Sequence, residues 1–239
     1  MPQRTPSTGW LGAWCLSSLC LALVDCSSAV SCSTSAPISG QVLNNTTGGT
    51  VASALVILQN TRKGADSSNP NAATTQYNLA TPTDSQGNFT IEAPCGPFNV
   101  IGVAPGFVAS VAPTFAGRAI TLGMTQNDAN AVLPTVSGFV PAANPLTAGA
   151  ATHFTASLTA PANDPLSDKV LLINTTVGLV VGFRPPAAPS GTGAYPNGEW
   201  TADLRAPTTP GVYRYGLVAM TGSGQTLIQY ISVNTQRAP

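Results

Sequence analysis

Strict alternation of apolar and polar positions, not helical periodicity, runs through this chain. Phe89 and Ile91 alternate with Thr90 and Glu92; after a break at residues 94–97, Phe98 and Val100 resume the pattern. Two strands joined as a hairpin are expected there. Asp84, Gly87 and Asn88 supply the preceding turn, because Asp hydrogen-bonds nearby backbone and Gly tolerates positive φ. Residues 38–43 (ISGQVL) also alternate and lead into a turn cluster at residues 44–50. Residues 54–59 (ALVILQ) form a short continuous apolar run, as expected of a strand buried within a sandwich and pairing near the first. Residues 74–83 and 118–122 predict two more strands, and the polar stretch 62–73 predicts a mobile loop.

Residues 125–131 lose all apolar periodicity and read as a linker. Alternation then restarts at residues 154–158, where Phe154, Ala156 and Leu158 interleave with Thr155 and Ser157. Residues 170–173, 179–183, 199–204, 212–220 and 226–233 follow at the spacing of an immunoglobulin-like fold. Trp200, on the alternating Glu-Trp-Thr-Ala-Asp-Leu run, reads as a core anchor. The expected fold class is all-β: two tandem antiparallel β-sandwich domains after an N-terminal signal segment.

Two resemblances refine this. The run Asp84-Ser85-x-Gly87-x-Phe89, a Pro-Gly break, Phe98-x-Val100 and then Pro105-Gly106-Phe107 resembles the carboxypeptidase regulatory-like domain, a small transthyretin-like β-sandwich. Ile38-Ser39-Gly40-x-Val42 and the following Ala-Leu-Val-Ile-Leu run extend the likeness over residues 36–125. That family stands beside a zinc carboxypeptidase, but this chain has no such domain and no His-Glu ligand motif, so the peptidase activity does not carry over. Residues 132–235, through Pro210-Gly211-Val212-Tyr213-Arg214-Tyr215 and a final strand ending Ile231-Ser232-Val233, loosely resemble bacterial immunoglobulin-like or PKD-like domains. The Cys-Trp-Cys core of antibody domains is absent. The division expected is 1–29 signal peptide, 30–35 tail, 36–125 first sandwich, 126–131 linker and 132–239 second sandwich.

Composition fits this picture. Of 239 residues, 43% are hydrophobic and only 8% charged, and 23 Gly and 21 Pro are spread without a period, as short strands joined by turns require. Nine Lys and Arg against nine Asp and Glu leave no basic surplus to neutralise phosphates, so nucleic acid is not an expected partner. Arg4, the apolar run at residues 11–24 and the small residues Ser27, Ser28 and Ala29 read as a cleaved secretion leader. That apolar run is 14 residues long, short of the roughly 20 a transmembrane helix needs. A lipidated leader with Cys26 as acceptor is the other reading, and Asp25, where a small residue is usual, argues against it. Once the leader leaves, Cys32 and Cys95 remain. In an oxidising compartment they either form a disulfide, worth roughly 2–4 kcal/mol by loop closure, or stay as two surface thiols.

Candidate chemistry is sparse. His153 is the single histidine and has no acid beside it in sequence; no Gly-x-Ser-x-Gly elbow occurs, so a hydrolase needs a site assembled from distant residues. Asp84 with Asn88, and Asp164 with Asp168, are oxygen-rich pairs without the spacing of a calcium loop, which points to turn capping. Tyr195, in the Gly-rich loop SGTGAYPNG, is the best-placed residue for stacking on a glycan. Asn44, Asn45, Asn88 and Asn174 each begin an Asn-x-Ser/Thr triplet. The function expected is a non-catalytic binding, spacing or structural module of the cell envelope or secretome, with no cofactor and no transmembrane span in the mature chain. Its expected partner is a protein or glycan of the cell surface. A carbohydrate-binding accessory is the alternative, and a hydrolase the more remote one.

Overall fold

Each alternating segment presents an apolar row to one of three buried layers. The computed structural model describes residues 34–60, 77–191 and 193–237, and the regular elements there are all strands. β1 (Ser35–Asn44), β2 (Leu55–Asn60), β3 (Tyr77–Pro82), β4 (Asn88–Pro94), β5 (Pro97–Val103), β6 (Ser110–Phe115) and β7 (Ala119–Met124) build a first sandwich, with sheets β4-β1-β7 and β3-β2-β5-β6. β8 (Thr135–Pro141), β9 (Leu146–Thr147), β10 (Ala151–Thr159), β11 (Leu166–Asn174), β12 (Leu179–Gly182), β13 (Gly198–Arg205), β14 (Gly211–Thr221) and β15 (Thr226–Gln236) build a second. Its sheets are β13-β10-β8 and β12-β11-β14-β15-β9. That distribution of strands is immunoglobulin-like, and the Tyr213 hydroxyl donates to the Thr209 carbonyl at 2.8 Å as a tyrosine corner does.

The first core packs Ile38, Val42, Phe89, Ile91 and Leu122 of one sheet against Val56, Leu58, Phe98 and Val100 of the other. The second packs Phe154, Leu158 and Trp200 against Leu172, Tyr215, Leu217 and Val233. A third layer joins the sandwiches. Leu55, Ile57, Ala80, Ile101 and Val103, on the reverse face of the β3-β2-β5-β6 sheet, meet Leu171, Ile173, Val180, Val218 and Met220 on the reverse face of the five-stranded sheet. Backbone hydrogen bonds close both sides of this contact: Ala80 N–H to the Gly178 carbonyl at 2.9 Å and Ala109 N–H to the Gly224 carbonyl at 2.8 Å. Gly178 and Gly224 both have positive φ, +75° and +88°, and a Cβ on Gly178 would stand 3.0 Å from the Ala80 carbonyl. Residues Cys32–Pro239 accordingly form one compact unit, four sheets deep.

Several local expectations are corrected. β4 and β5 are not a hairpin: β4 pairs with β1 and β5 with β2 and β6, so residues 94–97 carry the chain from one sheet to the facing one. Two apolar rows aimed into one core look alike whether the strands are neighbours or face each other. For the same reason β2 lies opposite β1 instead of beside it. The sheets are antiparallel apart from two pairings, β1 with β7 and β15 with β9, which run parallel. β6 and β8 escape the sequence pattern because Pro113 and Gly138 interrupt them. Ala116 N–H bonds the Gly96 carbonyl, so by alternation Pro113 lies at an outward position where its missing N–H costs no ladder bond. The expected loop at residues 62–73 lies outside the described residues.

Gly40 tests the crowding around β1, the central strand of its sheet. A Cβ there would run into the Ile120 carbonyl of the parallel neighbour β7. Gly40→Ala is expected to lower unfolding free energy by about 1–3 kcal/mol, the usual range for overpacking, as a shift of the denaturant midpoint.

Candidate functional site

The residues singled out from sequence do not converge. His153 projects from the outer face of β10, exposed, directly across from Asp203 of β13. Asp203 is engaged by the Arg184 guanidinium, an ion pair on that open sheet surface. Around them stand Thr155, Ser157, Thr201 and Glu199 in cross-strand register, a polar sheet face and not a cleft. Trp200 is buried in the second core, its indole N–H donating to the Pro196 carbonyl at 3.3 Å. Tyr195 is half-buried: its ring centroid lies 5.8 Å from that of Trp200, and its backbone bridges to Leu166. The aromatic platform expected for glycan stacking at Tyr195 is thus turned into the core edge, because the Gly-rich loop folds back to cover Trp200.

The carboxylates cap turns. Asp84 Oδ1 accepts from the Gln86 and Asn88 backbone N–H groups at 2.9 and 2.8 Å, and Oδ2 accepts from the Asn88 side-chain amide at 3.2 Å. The Asn88 backbone bond is the largest cause holding this carboxyl below its ordinary range. Asp164 Oδ2 accepts from the Thr221 and Ser223 hydroxyls, both at 2.6 Å, and Oδ1 from the Ser223 N–H at 2.9 Å. Burial pushes the Asp164 carboxyl up, but these three bonds together outweigh it and hold the group low. Asp168 turns to Lys169 instead, at 3.1 Å, so the Asp164–Asp168 pair seen in sequence does not share a ligand. Among the described residues no group of three or more His, Cys, Asp or Glu side chains could hold a metal ion.

Asn44 and Asn174 are buried, and each side-chain oxygen accepts from the backbone N–H two residues on, at Thr46 and Thr176. Their triplets are turn motifs in the folded chain. Cys95 is disulfide-bonded. Cys32 and Cys26 lie outside the described residues, but the Cys95 N–H donates to the Thr34 carbonyl at 3.2 Å, so the start of the described chain lies beside it. No helix among the described residues is long and apolar enough to cross a membrane.

Two of the shallow clefts among the described residues bear on this chemistry. The larger, about 380 Å³, is lined by Asn130, Asn163, Asp164, Ser223 and Gln225; its carboxylate is the one already saturated by turn donors. The smaller, about 220 Å³, lies between Asn174, Arg205 and Tyr213. Neither brings together a nucleophile, a base and an oxyanion donor.

The feature that sequence reasoning missed is an edge. β15 pairs with β14 along its length, but on its other side meets, among the described residues, only the two-residue β9, at Thr235 and Gln236. The Thr221 N–H bonds the Gln225 carbonyl, so by antiparallel alternation the odd-numbered residues of β15 face β14 and Ile228, Tyr230 and Ser232 direct their N–H and C=O groups outward. The signal was present in the sequence as 11 successive residues without charge, Pro or Gly, but such a run looks the same in a central strand.

No family model matches the chain, and no curated protein matches it. Solved structures with partial likeness include a DUF3823 family protein from Parabacteroides merdae, at 10% identity and a TM-score of 0.30, covering 84% of this chain and 98% of that one. BcpA, the major pilin subunit of Bacillus cereus, matches at 9% identity and a TM-score of 0.27, covering 85% and 69%. 3-Chlorocatechol 1,2-dioxygenase from Rhodococcus opacus matches at 12% identity and a TM-score of 0.31, over 39% of this chain and 61% of the enzyme's length. At such identities and TM-scores no activity or assembly transfers to this chain.

Asp164 gives a pH test. Its folded-state carboxyl lies below the ordinary value, so its contribution to stability is full above pH ~4 and is lost as pH falls through the lowered folded value. Asp164→Asn is expected to make unfolding midpoints less acid-sensitive below about pH 4 than in the wild type, as followed by thermal melts across that range.

Proposed function

We propose that the chain is a non-catalytic binding or spacing module that works outside the cytoplasm, secreted or attached to the envelope. The observation that carries this is the use of its charged and polar groups. Asp84 and Asp164 cap turns, Asp168 and Asp203 pair with Lys169 and Arg184, and the lone imidazole stands on an open sheet surface. What the fold provides instead is a stiff block, two sandwiches joined by a buried apolar layer, suited to holding a surface at a fixed distance. On this reading residues 1–29 are a leader, residues 36–125 a carboxypeptidase regulatory-like sandwich and residues 132–239 an immunoglobulin-like one. The second reading, a carbohydrate-binding accessory, loses the residue singled out for it, since Tyr195 packs on Trp200.

An extracytoplasmic site also accommodates a Cys32–Cys95 disulfide. Cys95 is bridged, and after loss of the leader Cys32 is the one other cysteine left. Intact-mass measurement of the protein recovered from medium and envelope fractions tests both parts. The expected product begins near residue 30 and gains two hydrogens on reduction. A chain retaining Met1 in the cytoplasmic fraction contradicts the location, and a lipid mass on Cys26 replaces cleavage near residue 30 with envelope anchoring. His153→Ala is expected to leave function intact, as judged by retention on the native surface.

A further inference from the structure

We infer that the smaller cleft, at one end of the second sandwich, is a binding site for a carboxylate carried on a short apolar group, as in a small branched acid or the apolar carboxyl end of a peptide. This deepens the binding reading proposed above by naming a class of ligand. The cleft opens where the two sheets part. Asn174 closes β11, directly across from Tyr215 of β14 on one side and Leu179 of β12 on the other. Arg205 closes β13 in the facing sheet, and residues 206–210 carry the chain from that sheet to β14. The Gly149 N–H donates to the Pro207 carbonyl at 3.1 Å and so anchors this crossing.

Asn174 is the group that points to a ligand. It is 2% exposed, and its Oδ1 accepts from the Thr176 N–H at 3.1 Å, which fixes the amide so that Nδ2 carries both hydrogens. Nδ2 has no hydrogen-bond partner among the described residues. The Tyr215 hydroxyl, on the cross-strand neighbour, is also buried and makes no hydrogen bond with it; at most it could engage one of the two amide hydrogens. A buried donor left unpaired costs stability, and nearly all such groups in folded chains find a partner. Asn174 lines the cleft, so a ligand oxygen seated there supplies one. Residues 208 and 209, exposed and outside the strands, are the wall that gives way for that oxygen to reach Nδ2.

The rest of the lining selects for charge and shape. Arg205 is the one charged residue in it. Its Nη1 donates to the Gly149 carbonyl at 3.3 Å and it makes no ion pair among the described residues, which leaves most of its N–H donors uncommitted. No Asp or Glu in the lining opposes an anion, in contrast to the larger cleft, which holds Asp164. The Tyr213 hydroxyl is committed to the Thr209 carbonyl. Val177 and Leu179, 55% and 40% exposed, stand with Pro207 as the apolar wall. The volume of about 220 Å³ is below the roughly 300–1,000 Å³ of a pocket for a drug-sized ligand, which limits the occupant to a carboxylate and a few carbons.

Titration of the full-length protein with isocaproate, followed by nuclear magnetic resonance at the side-chain amide of Asn174, tests this. At matched ionic strength the expected result is a saturable shift of that amide, with the neutral isocaproamide binding about tenfold more weakly or not at all. Arg205→Gln, at an exposed position, is expected to weaken isocaproate binding about tenfold and leave the melting temperature unchanged. Thr208→Glu, which adds a repelling charge at the exposed rim, is expected to weaken it as well. Tighter binding of N-acetyl-alanyl-leucine than of isocaproate assigns the site to a peptide end, and the reverse order assigns it to a free acid; either supports the inference. No saturable shift with either carboxylate, an amide that binds as tightly as its acid, or binding indifferent to both variants overturns it. The extracytoplasmic location, read by intact mass, is decided separately from this result.

Discussion

Burial of the reverse faces of two sheets against each other is the constraint on which the rest of this structure depends. Each sandwich has its own core and could satisfy its inward rows alone. Leu55, Ile57, Ile101 and Val103 on one side, and Leu171, Ile173 and Val218 on the other, would then face water. At roughly 1.5–3 kcal/mol for each fully buried large aliphatic side chain, an upper estimate, exposing them would cost an amount comparable to the net stability of a typical domain. The two sandwiches are therefore one body, and the positive-φ glycines at 178 and 224, whose carbonyls accept the bonds joining the sheets, fix its alignment.

That alignment has consequences for function. Stacking puts β3 next to β12 on one flank, while β6 and β15 end their sheets on the other. The first flank is partly closed by the Arg184–Thr201 bridge between the second sandwich's sheets. On the second flank, the outward backbone groups at Ile228, Tyr230 and Ser232 have no partner among the described residues. Asp84 and Asp164 are committed to turns, and Asp168 and Asp203 to ion pairs.

Much of the fold was legible because half-buried strands advertise themselves: Phe154-Ala156-Leu158 and Trp200-Ala202 alternate cleanly, and both lie where the alternation puts them. Residues 54–59 were legible as buried but not in what buries them. A continuous run arises when both faces are covered, and here Val56 and Leu58 face the first core while Leu55 and Ile57 face the other sandwich. Which strands neighbour one another was not legible for β4 and β5, since inward rows carry no label for their sheet. At the candidate site, the turn roles of Asp84 and Asp164 followed from their surroundings in sequence. Tyr195 did not, because a loop's path over Trp200 depends on tertiary packing, and an edge strand differs from a central one only through neighbours distant in sequence.

The account stands or falls on the joined sandwiches. With Trp10 and Trp14 replaced by Phe, Trp200 is the one remaining indole and reports on the second sandwich alone. Ile57 belongs to the first sandwich but points into the shared layer. Ile57→Ala is predicted to lower the denaturant midpoint seen by Trp200 fluorescence, by about 2–5 kcal/mol in unfolding free energy, in step with the far-ultraviolet dichroism of the whole chain. A Trp200 transition that stays in place while the dichroism splits into two steps would contradict it.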